Sequence, residues 1–328
     1  AMRLIAHNEE RFPKKIRAGK SGKQKVRFQY FEDCYKENAF LAEDIRQTVQ
    51  NGVPLSEIAV LFRTNMQPRA LMEYMVSANL AFQTKDRIPD IYEHWIARDF
   101  FTYIRIAQGS DSRADFLSIM NRPKRYIGRD SLPDETVCFD EWMKLYEEQP
   151  WIAERIEKLW YDLKHLSRLS PYAAINYIRR GIGYDDYLAE YAEYRNVNKE
   201  DFYEVADEIL ASAKGYRTFE EWFAHIEEYR QELKRLAQEK RRNQNAVTFA
   251  TLHSAKGLEF TKVYLIDVNE GVMPYKKAVL KQDVEEERRL FYVGMTRAKE
   301  SLTICSVKKM RGKEVELSRF IKEAGKEP

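Results

Sequence analysis

Ile58-Ala59-Val60-Leu61-Phe62 is an unbroken apolar run with no polar face. Such a run suits a strand of a parallel sheet, where helices cover both faces and alternation is lost. Upstream of it, Val26-Arg27-Phe28-Gln29-Tyr30-Phe31 alternates as a half-buried strand, and Phe40, Leu41, Ile45 and Val49 mark one face of a helix ending near Gly52. Downstream, a helix from Pro68 to Asn79 would cover the apolar strand, with its proline in the first turn. The same texture returns only after Asn245. There, residues 246–252, 263–268 and 302–307 read as strands, and an acidic-then-basic helix from Val284 to Ala298 joins the last two.

Between about Arg98 and Asn243 the strand signals vanish and helical periodicity takes over. Ser170 and Pro171 supply an N-cap and an N1 proline for a helix running to Gly181. Thr218 and Glu221 form a capping box that opens a long helix through Leu233. Trp151, Trp160, Tyr172, Tyr177, Phe219, Trp222 and Phe223 recur at helical spacing, so they read as core packing in preference to a stacking surface. The architecture that follows is α/β: one domain built from both ends of the chain, with a helical domain inserted in its middle.

Composition sets the outer bounds. A length of 328 residues favours two folding units, and 44% hydrophobic with 33% charged residues is ordinary for a globular protein. No apolar run approaches the roughly 20 residues that span a bilayer. Cys34, Cys138 and Cys305 are odd in number and lack CxxC spacing, which argues against a disulfide framework or a zinc site; reduced thiols in a cytoplasmic protein, with no metal site, are the reading. Net charge is only +3, but basic residues gather in Arg11 to Lys25, Arg122 to Arg129 and Lys234 to Arg242, where they could track phosphates or simply solvate a surface. No signal peptide begins the chain, and Ala1 before Met2 reads as a cloning remnant on an excised piece.

Two apparent nucleotide motifs fail. Gly19-Lys20-Ser21 lacks the earlier glycine that a P-loop requires, since Lys14 stands there, and it reads as a basic surface turn. Val263-Tyr264-Leu265-Ile266-Asp267 resembles a strand ending in a magnesium-binding aspartate, but without a P-loop it reads as a plain sheet strand. Two later segments are far more specific. TLHSAKGLEF (residues 251–260) leaves a buried strand and turns on small, polar and glycine residues, the layout that brings backbone close to a ligand. EEERRLFYVGMTRAK (residues 285–299) is a helix whose last turn presents Arg297, with Arg288 and Arg289 able to pair with Glu285 or Glu286 along it.

These two segments resemble motifs V and VI of the UvrD/PcrA/Rep family of superfamily 1 DNA helicases, and IAVLFRTNMQPR (residues 58–69) resembles motif IVa. LIAHNEERFPKK (4–15), NRPKRYIG (121–128), VNEGVMP (268–274) and LSRFIKE (317–323) extend the resemblance over nearly the whole chain. It implies a RecA-like domain 2A from residues 1–97 and 245–328 and a helical insert 2B from residues 98–244. It also implies ATP and Mg²⁺ as cofactors, single-stranded DNA and single/double-strand junctions as partners, and 3′ to 5′ movement. The ATP site would lie against a second RecA-like domain (1A/1B), which the resemblance places N-terminal to Ala1.

By matching motif VI, Arg297 is the expected arginine finger. By matching motif V, Glu259 would accept a hydrogen bond from the nucleotide ribose, with Gly257 permitting close approach. Arg63, Asn65, Thr251 and His253 would face the DNA strand, and Lys124, Arg125 and Gly128 the duplex. The family has Gly-Ile-Gly where this chain has Tyr126-Ile127-Gly128, so a ring is expected to alter or weaken that duplex contact. Walker A, Walker B, the Gln motif and the tyrosine-arginine of motif IV are absent, so the chain alone is not expected to hydrolyse ATP. The rival readings are an AddA-type helicase–nuclease fragment and a non-catalytic DNA-binding module.

Overall fold

The computed structural model describes residues 1–9, 26–86, 89–239 and 245–325. The Arg11 to Lys25 cluster with Gly19-Lys20-Ser21, and the distal part of the Lys234 to Arg242 cluster, lie outside the described residues. The chain divides into two compact units, Ala1–Pro89 with Tyr229–Pro328, and Asp90–Glu228. Both divisions fall earlier than the residues 97 and 244 read from the sequence: the turn at Ile91–Glu93 packs against helices of the second unit, and the second division falls within the long helix Phe219–Glu239.

The first unit begins with α1 (Met2–Ile5), β1 (Arg27–Asp33), α2 (Cys34–Gln50), β2 (Ile58–Phe62), α3 (Arg69–Ser77) and β3 (Phe82–Thr84). The second holds α4 (Trp95–Ala107), α5 (Arg113–Ile119), α6 (Phe139–Lys144), α7 (Pro150–Leu166), α8 (Pro171–Arg180), α9 (Tyr184–Arg195), α10 (Lys199–Ser212) and α11 (Phe219–Glu239) as far as Glu228. The chain then returns to the first unit with β4 (Val247–Thr251), β5 (Phe260–Leu265), α12 (Lys281–Met295), β6 (Ala298–Met310), β7 (Lys313–Glu314) and α13 (Arg319–Glu323).

Both ends of the chain build one sheet in the order β1-β6-β5-β2-β4-β3, parallel throughout except for β7, which pairs antiparallel with β6. The central strand β2 is buried at every position. Its side chains alternate between two cores, as the strand's period of two requires. Ala59 and Leu61 join Ala250, Val263, Leu265, Phe291 and Phe320, whereas Ile58, Val60 and Phe62 join Leu41, Ile45, Met72, Phe249 and Tyr264. The α/β class with its parallel sheet and helical insert therefore stands as read.

Element details differ from the sequence reading for local reasons. Val49 is 37% exposed, and Thr48 is buried in its place. Thr48 Oγ1 accepts from Lys262 Nζ at 2.6 Å and donates to Asp44 O, a polar contact that hydrophobic periodicity does not register. The last long helix runs Lys281–Met295, not Val284–Ala298, and β5 begins at Phe260, not Val263. The earlier end of the helix and the earlier start of β5 have one cause: Phe260 pairs with Ala298 across the sheet, and its N–H donates to Arg297 O at 2.9 Å, drawing Ala298 into the strand.

In the second unit Trp142, Trp222, Phe100, Tyr103 and Tyr184 fill the helical core. Of the aromatics read as core, Phe219 and Trp222 are buried, Trp160, Tyr177 and Phe223 are half-buried, and Trp151 and Tyr172 are exposed. The apolar stripe of α7 is Ile152, Ile156, Leu159, Leu163 and Leu166, and Trp151 lies off it. No helix among the described residues is long and apolar enough to cross a membrane.

Candidate nucleotide and nucleic-acid site

Because the strands are parallel, residues that end strands and residues that begin them lie on opposite edges of the sheet. Residues 252–259 leave the C-terminal end of β4 and return to the N-terminal start of β5, so this segment touches both edges. Gly257 turns it at φ +85°, in the left-handed region where any Cβ is strained.

At the N-terminal edge the Arg297 guanidinium donates from Nε to Val293 O, from Nη1 to Leu258 O and from Nη2 to Thr296 Oγ1, each at 3.0 Å. All three acceptors are neutral, and among the described residues no carboxylate offsets the charge. The half-buried guanidinium is therefore fixed in place with its positive charge still available. Glu259, one residue beyond Leu258, is exposed and has no hydrogen-bond or ion-pair partner among the described residues. A planar cation and an open carboxylate flanking a glycine turn can take a ligand that is anionic at one point and hydroxyl-bearing at another.

The C-terminal edge carries Arg63, Asn65, Thr251 and His253. Gln67 Oε1 accepts the N–H groups of Arg63 and Thr64, each at 2.8 Å, and shapes the turn after β2. Arg63 itself is held by Glu287 of α12, with Nε–Oε1 and Nε–Oε2 at 3.0 Å and Nη2–Oε1 at 2.8 Å, and its guanidinium lies 5.2 Å over the Tyr275 ring. Arg63 is thus charge-matched inside the unit, not presented bare. Asn65 Oδ1 is buried with no hydrogen-bond partner among the described residues. Thr251 is buried, its N–H donating to Asp86 at 2.7 Å and its hydroxyl linked to Asp86 and Ser254. His253 is exposed.

Beneath this edge lies a pair of carboxyls. Glu37 is fully buried and accepts the Asp267 N–H at 3.3 Å, while Asp267 accepts from Gln67 Nε2 at 3.3 Å. Burial first, and the neighbouring Asp267 carboxylate second, push the Glu37 carboxyl well above the usual range. Asp267 thus supports the Gln67 turn; it lies beyond the end of β5 at Leu265, with φ +52°, so the strand read as running to Asp267 stops two residues earlier. Among the described residues no group of His, Cys, Asp and Glu could hold a metal ion.

In the helical unit, Lys124 and Gly128 are exposed, and Gly128 donates its N–H to Tyr146 Oη at 3.2 Å. Arg125, expected at the DNA face, is buried instead. Its guanidinium donates to the carbonyls of Ile119, Met120 and Pro123 and to Tyr103 Oη, because the loop folds around it to satisfy those acceptors.

Sequence reading missed Asp86, which ties Thr251 and Ser254 together, along with Gln67 and Glu287. Glu287 stood inside a recognised string, but nothing local marked it as the partner of a residue in the turn after β2. Arg288 does not pair along its helix as the helical spacing allowed. It is buried, donates to Glu323 at 2.6 Å and Asn8 at 2.6 Å, and so joins α12 to both chain ends. Arg289 does pair with Glu286 at 2.9 Å.

Comparison with known proteins gives this geometry a family. A putative ATP-dependent DNA helicase YjcD of Bacillus subtilis is 26% identical over 332 residues, covering 97% of this chain and 43% of the relative. The ATP-dependent DNA helicase PcrA of Staphylococcus epidermidis is 29% identical over 98% of the chain and 47% of the relative. The ATP-dependent DNA helicase Rep of Salmonella typhimurium is 27% identical over 98% of the chain and 51% of the relative. The chain spans about half the length of these curated relatives. The sequence model of the UvrD-like helicase C-terminal domain matches residues 1–137 and 144–309, and the chain belongs to that family.

Proposed function

We propose that this chain is the C-terminal motor half of an ATP-dependent DNA helicase moving 3′ to 5′, working in the cytoplasm against a RecA-like 1A/1B half that supplies the triphosphate and Mg²⁺ ligands. In this reading residues 1–89 and 229–328 act as domain 2A and residues 90–228 as 2B. The single observation that carries the proposal is Arg297, a fixed guanidinium on neutral acceptors at one sheet edge, with the open carboxylate of Glu259 beside it. Arg297 would meet the γ-phosphate and stabilise charge developing during transfer; Glu259 would accept from the ribose. A pure DNA clamp has no use for such a wall.

The opposite sheet edge would carry single-stranded DNA through His253, Asn65 and the Arg63 turn, by backbone contacts that read no sequence. Helix α12 links the two edges. Glu287 near its middle holds Arg63, and Arg297 follows its end, about 15 Å away at 1.5 Å per residue. A shift of that helix would move both walls together.

The test is carried out on the protein containing both halves. Arg297→Ala should lower ATP turnover by about 10³ to 10⁵ with nucleotide affinity retained, and Arg297→Lys should rescue poorly, since lysine lacks the planar fork. Near-normal turnover in the alanine variant would reject the assignment. The 328-residue chain alone should hydrolyse no ATP and bind single-stranded DNA weakly, with affinity falling as salt rises.

A further inference from the structure

The loop between α5 and α6, which carries Lys124, also presents the exposed Tyr126, and α7 presents Trp151 and Arg155 beside it; the site above gives these three no role. The loop's frame is built from within. Asn121 Nδ2 donates to Ile127 O at 2.8 Å, and Asn121 Oδ1 accepts from Arg125 N at 3.2 Å and Ile127 N at 3.1 Å. Around the buried Arg125 this frame holds Tyr126 at φ +60°, a conformation that costs a residue with a Cβ about 1–2 kcal/mol. The Tyr126 ring is nonetheless turned outward, with the residue 57% exposed.

Trp151, in the first turn of α7, is 49% exposed, and its ring centroid lies 6.4 Å from that of Tyr126 at 68°. Arg155, one turn further on, donates Nη1 to Arg125 O at 3.1 Å and sets its guanidinium 5.2 Å from the Tyr126 ring and 4.9 Å from the Trp151 ring. Lys124 Nζ stands 4.6 Å from the Tyr126 ring. Among the described residues no carboxylate pairs with Lys124 or Arg155, and the first turn of α7 has no acidic residue. The patch therefore holds two cations without an ion pair among the described residues, and about half of the surface of Tyr126 and of Trp151 is exposed beside them.

That combination fits a polyanion that also offers bare aromatic faces, which describes an unpaired DNA strand. A duplex hides its base faces, so a phosphate-only contact would have no use for two outward rings. Resting on the DNA reading above, we propose that Tyr126, Trp151 and Arg155 form a platform on which an unpaired base stacks, with Lys124 and Arg155 against the flanking phosphates.

The experiment measures affinity of the 328-residue chain for a short duplex with an oligothymidine overhang, and for the same duplex with an abasic overhang of equal charge. Wild type should prefer the base-bearing overhang. Trp151→Ala and Tyr126→Gly should each weaken base-bearing binding by about 5- to 100-fold, the range that loss of a stacked base brings, and leave abasic binding unchanged. The glycine variant relieves the backbone, so its loss would not come from unfolding. Equal losses on both probes would make the patch a phosphate site and overturn the proposal. Unchanged affinities in both variants would overturn it while the DNA-binding reading stands. Failure of wild type to bind either probe would undo that reading and the platform with it.

Discussion

Glu37 is the residue whose chemistry is most at odds with its surroundings. A fully buried carboxyl beside the Asp267 carboxylate holds its proton in the fold more tightly than in the unfolded chain. The native state then binds more protons than the unfolded state across the window between the ordinary carboxyl range and the raised folded value. Stability from this group is present below that window and is lost as pH rises through it. Glu37→Gln removes the titration and keeps an oxygen for the Asp267 N–H. Urea unfolding should find the variant more stable than wild type at about pH 8, with the gap closing towards about pH 5. A gap that stays constant with pH would mean that Glu37 is not the titrating group. Gly257 makes a separate case. No atom lies near a Cβ built there, so Gly257→Ala should cost only the left-handed strain of about 1–2 kcal/mol, read as a lower urea midpoint.

Helix α12 owes its seat to one small residue. A Cβ at Gly294 would overlap Leu252 Cδ2 and approach Leu265 Cδ2 to 3.2 Å, both in the core beneath the helix. Gly294→Ala should therefore destabilise by about 1–3 kcal/mol despite alanine's better helix propensity, with the urea midpoint falling and the slope unchanged. Because the same helix holds Arg63 through Glu287 and leads into Arg297, the proposed function expects the displaced helix also to reduce ATP turnover in the protein with both halves. A fully stable variant would show that Leu252 has room to move. The element itself was legible in its acidic-then-basic pattern, but its ends were not. Strand pairing at Ala298 fixes where it stops, and that partner lies on β5.

For the molecule as a whole, β2 from the first segment lies between β4 and β5 from the last, and β1 pairs with β6. Among the described residues, the three strands of the first segment pair only with strands of the last. Residues 1–89 by themselves should stay largely unfolded, whereas the same residues joined to 229–328 by a flexible Gly/Ser linker should regain cooperative urea unfolding. A folded 1–89 fragment would contradict the shared sheet. The sequence by itself determined the α/β class, the apolar strand at Ile58–Phe62, the helical middle and the family strings, because periodicity, caps and motifs are written within a few residues of one another. Only the tertiary structure decided that Arg63 meets Glu287, that Asp86 takes the Thr251 hydroxyl, that Arg125 turns inward and that Trp151 stands beside Tyr126. Each is a meeting of side chains separated along the chain or turned by a loop, and its geometry follows from packing that no local pattern encodes.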